Sequence, residues 1–212
     1  MKGFIFDMDG VIFDTENIWK DALYKANEIY NLDLDENYRK SICGKDENII
    51  RKELKDLFPN LNVTEYREYI INYVKNEIKN GNYNIKYYFL ELIHILKSKN
   101  FKIALATSSN KDRAEILFKN KNIDINMFDV CIFSNDISIG KPNPEIFIKA
   151  SNKLSLNPTD CYVIEDSING LVAAINGGFI PVMVIDLIEP TECINDNVKY
   201  IFNNLKEILN IL

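Results

Sequence analysis

Short runs of apolar, mainly β-branched and aromatic residues recur along the chain at 3–6, 103–106, 130–133, 162–164 and 181–185, with a weaker run at 200–202. The stretches between them carry helical spacing instead. Phe89, Leu92, Ile93 and Leu96 share one helix face, Ile116 and Leu117 another, Phe147, Ala150 and Leu154 a third, and Leu171, Ala174 and Ile175 a fourth. Alternation of apolar strand and amphipathic helix predicts an α/β fold, a parallel sheet covered on both faces. One interval breaks the alternation: between 7 and 102 no run reads as a strand. Trp19, Leu23, Ala26 and Tyr30 follow helical spacing there, and further helices are expected around 48–57 and 65–79, until Asn80-Gly81-Asn82-Tyr83-Asn84 interrupts the pattern. The expected organisation is a core built from 1–14 and 84–212, with an all-helical cap inserted at 15–83 after the first strand.

Charge narrows the function classes. The 212 residues hold 31 acidic and 25 basic side chains, a net charge of -6. A surface that binds nucleic acid through its phosphates carries a basic surplus, so no nucleic-acid partner is expected and any phosphate must be met locally. Asp7 follows Phe4, Ile5 and Phe6 too soon for a signal-peptide core. No stretch approaches the roughly 18 apolar residues of a membrane span. A cytoplasmic, membrane-free protein is expected, and a monomer, since no exposed apolar stripe is evident. Cys43, Cys131, Cys161 and Cys193 form no CxxC pair and the chain has one histidine, which argues for reduced thiols and against a zinc site.

In open parallel sheets ligands sit beyond the carboxyl ends of the strands. The first apolar run ends in Asp7-Met8-Asp9-Gly10 and the second in Thr107-Ser108-Ser109-Asn110. The third leads to Gly140-Lys141-Pro142 and the fourth ends in Glu165-Asp166-Ser167. Residues two apart at a strand end project to one side about 6 to 7 Å apart, so Asp7 and Asp9 can bracket a phosphate, one attacking and the other handling a proton. Asp7, Asp9, Glu165 and Asp166 would repel by about 1 to 4 kcal/mol per close pair. A cation relieves this, and an all-oxygen ligand set favours magnesium. Adjacent side chains at a strand end diverge, so Asp166 is the expected direct ligand and Glu165 acts through water. A helix starting near Lys111 would aim its free amides at an anion resting on Thr107 and Ser108, with Lys141 supplying a compact positive charge.

Other signals fail on their chemistry. Gly140-Lys141 is no nucleotide P-loop, because Asn135 occupies the first glycine position and Pro142 replaces the Ser or Thr that would meet magnesium. There is no dinucleotide fingerprint, and Asp7-Met8-Asp9-Gly10 lacks calcium-loop spacing. His94 lies in the apolar run Leu92-Ile93-His94-Ile95-Leu96 and reads as a packed or edge residue, while Cys161 and Cys193 have no histidine partner for thiol chemistry. Taken singly, Asp-x-Asp-Gly reads as a turn and Thr-Ser-Ser-Asn as a helix cap. Four such strand ends in chain order point to a site.

These residues resemble the haloacid dehalogenase superfamily, in its branch of β-phosphoglucomutase and small sugar-phosphate phosphatases. Phe6-Asp7-Met8-Asp9-Gly10-Val11 resembles its first motif, Thr107-Ser108-Ser109 its second, Gly140-Lys141-Pro142-Asn143-Pro144-Glu145 its third and Val163-Ile164-Glu165-Asp166-Ser167 its fourth. The resemblance implies a Rossmann-like core with a helical cap and a phosphoaspartyl intermediate. By it Asp7 is the nucleophile, and Asp9 protonates the leaving oxygen and then activates water. Magnesium rests on Asp7, the Asp9 backbone carbonyl and Asp166, while Thr107, Ser108 and Lys141 hold the phosphoryl oxygens. The second aspartate points to phosphoryl transfer over dehalogenation. Mutases of the branch carry a histidine where this chain has Trp19, and a cap arginine after a glycine where it reads Cys43-Gly44-Lys45-Asp46-Glu47.

The sequence therefore predicts a magnesium-dependent phosphoric monoester hydrolase acting on a small phosphorylated metabolite, a sugar or polyol phosphate, with Lys45 a candidate substrate contact. The rivals are a sugar-phosphate mutase and a non-catalytic sensor of phosphorylated metabolites on the same fold.

Overall fold

The computed structural model describes residues 2–42, 45 and 47–212, except the side chain of Cys193. Along the chain these form β1 (Gly3–Phe6), β2 (Phe13–Asp14), α1 (Glu16–Tyr30), α2 (Glu36–Ile42), α3 (Glu47–Leu57), α4 (Val63–Asn80), β3 (Asn84–Ile85) and α5 (Phe89–Ser98). There follow β4 (Lys102–Ala106), α6 (Lys111–Asn120), β5 (Val130–Ile132), α7 (Glu145–Leu154), β6 (Cys161–Glu165), α8 (Ile168–Asn176), β7 (Ile180–Val184), α9 (Glu192–Asn197) and β8 (Tyr200–Phe202). The chain divides into two compact units, Met1–Asp14 with Asn84–Leu212, and Thr15–Tyr83.

The first unit is the α/β, Rossmann-like fold expected from the sequence. Six of its strands form one sheet in the order β5-β4-β1-β6-β7-β8, all parallel. β1 is central: the chain adds β4 and β5 on one side of it, then β6, β7 and β8 on the other. The order reverses at β1, so its carboxyl end opens on a crevice. Register makes that edge even, because Phe6 pairs with both Leu105 and Ile164. The ladder runs one residue further: the Asp7 amide donates to the Ile164 carbonyl and the Thr107 amide to the Ile132 carbonyl, each at 3.0 Å.

Period-two packing holds this edge still. Ile5, Ala104, Ala106, Ile132 and Val163 form one face with Ile146, Phe147 and Ala150 of α7 and Ala173 and Ala174 of α8. Phe4 and Phe6 point the other way, where Phe4 meets Phe101 at 5.2 Å and Phe6 meets Phe89 at 6.2 Å between ring centroids. Full burial of such rings contributes about 1.5–3 kcal/mol each.

Strands do occur between 7 and 102, contrary to the sequence reading. β2 and β3 form an antiparallel pair, Phe13 with Ile85 and Asp14 with Asn84. Two residues each are too few to display alternation.

The second unit is helical. α1 packs along α4 through Ile18, Ala22, Leu23 and Ala26 against Tyr66, Ile70, Val74 and Ile78, all buried. Of the residues whose spacing announced this helix, Leu23 and Ala26 are buried and Trp19 and Tyr30 half-buried, and the Tyr30 ring meets Tyr66 of α4 edge-on at 5.4 Å between centroids. Buried Asn27 donates to the Leu34 carbonyl at 2.8 Å and accepts from the Tyr66 hydroxyl at 3.1 Å. Asn62 caps α4 by accepting from the Glu65 amide, and Gly81 ends it at φ +77°. Among the described residues no helix is long and apolar enough to cross a membrane.

Candidate active site

The loop after β1 carries the first two acidic residues. Met8, Val11, Ile12 and Phe13 are fully buried, and the turn closes through Gly10 amide to Phe13 carbonyl (2.9 Å) and Ile12 amide to Met8 carbonyl (2.8 Å). Gly10 sits at φ +78°, and a Cβ there would lie 2.1 Å from Asp166 Oδ2. The position thus demands glycine for both backbone and space.

Lys141 is the hub. Its side chain is 6% exposed, and Nζ donates to Asp7 Oδ1 at 2.5 Å, Glu165 Oε1 at 2.6 Å and the Ala106 carbonyl at 3.4 Å. The Phe147 ring lies beneath, 4.9 Å from Nζ to centroid. The loop delivering it is tied to the start of α7. There Glu145 accepts from the Ser138 and Ile139 amides and pairs with Lys149 at 2.7 Å.

Glu165, 1% exposed, uses both oxygens. Oε1 meets Lys141, and Oε2 accepts from the amides of Asp166 (3.1 Å) and Ser167 (3.0 Å) and from the Ser167 hydroxyl (2.9 Å). Ser167 caps α8 by accepting from the Gly170 amide at 3.1 Å. Gly170 makes room for the carboxylate, since a Cβ there would lie 1.9 Å from Glu165 Oε1.

Asp7, Glu165 and Asp166 each bring a carboxylate oxygen within 4.8 Å of the others. Burial above all lifts the Asp7 carboxyl to about 7, while Lys141 pulls it down and Glu165 and Asp9 push it up. Burial alone would depress the Lys141 ammonium, yet the Asp7 and Glu165 carboxylates carry it upward and keep it charged. Asp7, Glu165 and Asp166 thus offer only carboxylate oxygens to the space between them. Such a donor set fits a hard divalent cation.

Thr107, 1% exposed, follows β4, and its hydroxyl oxygen accepts from the Ser109 amide at 3.0 Å. Ser108 is exposed. α6 begins at Lys111, with Asn110 accepting from the Arg113 amide at 2.9 Å.

The structure thus brings Asp7, Lys141, Glu165 and Asp166 together. Asp9 is held by Arg113, which the sequence reading passed over, and by Ser109, which it quoted within a motif without giving it a role. Arg113 grips both its oxygens, at 2.6 and 2.8 Å, and the Ser109 hydroxyl donates to Oδ2 at 3.0 Å. A signal was present: the first turn of a helix disfavours cations, and an arginine there invites the question of what it meets. Lys45 belongs to the helical unit, where it pairs with Glu53 at 2.7 and 2.9 Å; Cys43, Gly44 and Asp46 lie outside the described residues. Cys131 and Cys161 are free thiols, each pushed up to about 11 by burial, poor nucleophiles near neutrality.

Residues 1–178 match the family model of haloacid dehalogenase-like hydrolases. The chain belongs to this family. Among its relatives, a phosphorylated carbohydrates phosphatase of Thermotoga maritima is 32% identical over 185 residues, 84% of this chain and 82% of that protein. The β-phosphoglucomutase of Bacillus subtilis is 29% identical over 199 residues, 87% of this chain and 83% of its own. Among solved structures, a putative β-phosphoglucomutase from Thermotoga maritima superposes with a TM-score of 0.79 at 26% identity, covering 100% of this chain and 98% of that one.

Proposed function

We propose that this haloacid dehalogenase-like hydrolase is a magnesium-dependent phosphatase of small phosphorylated metabolites, a sugar or polyol phosphate, working through a phosphoaspartate on Asp7. The observation that carries the reading is the Lys141 ammonium seated between Asp7 and Glu165, with Asp166 in reach, at the carboxyl edge of the sheet. Asp7 and Asp166, with the Asp9 carbonyl, would hold the cation, and Glu165 acts at one remove, since its oxygens already fix Lys141 and the start of α8. When bound, magnesium supplies charge neutralisation that lets an anionic carboxylate approach an anionic phosphoryl group.

The chain's own residues supply the rest. Lys141 and the Thr107 and Ser108 groups hold the phosphoryl oxygens; the Thr107 oxygen already accepts from Ser109, which leaves its hydrogen to donate. An Asp7 oxygen bonds to phosphorus as the bond from phosphorus to the substrate oxygen breaks, and Asp9 gives that oxygen its proton. Water then attacks phosphorus, Asp9 takes the water's proton, the bond to Asp7 breaks and inorganic phosphate leaves. The helical unit at 15–83 acts as a cap that selects the substrate, with Lys45 as a contact that exchanges Glu53 for an anionic group.

A mutase is the alternative, favoured by the names of the Bacillus subtilis relative and the Thermotoga maritima structure. Trp19 and Lys45 replace the histidine and arginine of the mutase pattern and favour hydrolysis. A phosphate-release screen over sugar and polyol phosphates, with and without chelator, tests the reading beside Asp7→Asn. Turnover that needs magnesium and falls below about a thousandth in Asp7→Asn is expected. Activity surviving in that variant removes the nucleophile, and glucose 1-phosphate to glucose 6-phosphate conversion without phosphate release decides for the mutase.

A further inference from the structure

Arg113 stands against its local environment. It is the third residue of α6, at the positive dipole end of the helix, where its amide donates to the Asn110 side chain and Lys111 and Asp112 already place one charge of each sign in the same turn. Its guanidinium reaches across to Asp9, a residue 104 positions away in the chain, donating from one nitrogen to Oδ2 at 2.6 Å and from another to Oδ1 at 2.8 Å. The Ser109 hydroxyl donates to Oδ2 at 3.0 Å and itself accepts from Arg113, closing a three-membered ring of polar contacts.

A planar fork on a planar carboxylate fixes both the side-chain rotamer and the carboxylate plane, which a point-charge lysine does not do. The side chains of Arg113 and Asp9 are 25% and 27% exposed, and pairs so exposed add little to stability. What the pair supplies is orientation. A group that must deliver a proton to a leaving oxygen works only within hydrogen-bond reach, and a misplacement of about 1 Å costs on the order of a hundredfold.

We propose that Arg113, assisted by Ser109, is the positioning residue for Asp9: the fork holds the carboxylate in place, and one of its arms gives way as Asp9 takes up from solvent the proton it then delivers to the leaving oxygen. The inference rests on the reading of Asp9 as the group that protonates the leaving oxygen, and extends it to a residue outside the four strand-end motifs.

The test compares kcat/KM, which reports steps through release of the alcohol, for two probes in magnesium: glycerol 2-phosphate, whose alkoxide must be protonated, and p-nitrophenyl phosphate, whose phenolate leaves unaided. Arg113→Ala is expected to lower the glycerol 2-phosphate value about 10- to 100-fold and the p-nitrophenyl phosphate value far less, with Arg113→Lys between Arg113→Ala and wild type and circular dichroism unchanged. Equal loss on both probes, or loss on neither, overturns the inference. Asp9→Ala is the control. If it is selective and Arg113→Ala is not, the inference alone falls; if Asp9→Ala lowers both probes equally, the acid role of Asp9 falls and takes the inference with it.

Discussion

Two cations meet the loop after β1, and they are embedded differently. Lys141 is 6% exposed and lies between Asp7 and Glu165, themselves 11% and 1% exposed; Arg113 and Asp9 are each about a quarter exposed. A buried charge that loses its partner leaves the remaining charges in a medium that cannot solvate them. A rim pair that loses its partner is rescued by water. Fold and chemistry are therefore joined at Lys141 and separable at Arg113. The site places its compact point charge where neutralisation matters and its planar fork where direction matters.

Lys141→Ala should break the buried half of this comparison. Asp7 and Glu165 would face each other without a cation, at a cost of about 3–5 kcal/mol in the metal-free protein, read as a lower denaturant midpoint with the circular dichroism spectrum retained. Loss of a preorganised charge also predicts turnover at least about a hundredfold lower. A variant with wild-type stability and turnover within a few-fold would show that the buried ammonium has no such dual part.

The comparison also separates what the sequence discloses from what it hides. Asp7, Lys141, Glu165 and Asp166 could be placed at one sheet edge because each follows an apolar run, or leads from one, and parallel strands align their carboxyl ends. The grip of Arg113 on Asp9 could not, because it depends on how α6 docks beside β1 and spans 104 residues. Glu165 reads from sequence as a water-mediated ligand. Its full engagement by Lys141, Ser167 and two amides depends on lone-pair directions that no spacing encodes. In the helical unit the spacing of Trp19, Leu23, Ala26 and Tyr30 announced α1, but the burial of Ile18 and Ala22 beside them was not legible from that spacing. Caps at Asn62 and Gly81 set limits for α4 slightly wider than the apolar spacing alone implied.

A gentler perturbation of the buried half comes from Gly170→Ala. In the first turn of a helix this change ordinarily gains up to about 1 kcal/mol. Here the new Cβ would lie 1.9 Å from Glu165 Oε1 and 2.0 Å from its carboxyl carbon, and that carboxylate is pinned by Lys141 and Ser167. Overpacking costs about 1–3 kcal/mol, so net destabilisation is expected. Turnover should also fall, though less than in Lys141→Ala, since Glu165 must move and Lys141 with it. Stabilisation with full activity would mean that Glu165 relaxes freely and does not fix Lys141.

The smallest effect belongs to the loop that delivers Lys141. Glu145 holds that loop from the solvent side, and its carboxyl is lowered from 4.5 to about 2, first by the Lys149 ammonium and then by the Ser138 and Ile139 amides. A carboxyl that binds its proton more weakly when folded stabilises the fold fully above 4.5 and progressively less as pH falls toward about 2. Glu145→Gln lacks that contribution at every pH. Its stability deficit against wild type should therefore be largest near neutrality and shrink between pH 4.5 and about 2, measured from urea midpoints of the two proteins at each pH. Near neutrality its turnover should drop a few-fold, because the loop is loosened while the Lys141 contacts with Asp7 and Glu165 remain. A deficit independent of pH would mean that the glutamate acts through shape alone. Turnover as low as in Lys141→Ala would mean that the buried contacts cannot hold the lysine without the loop tie.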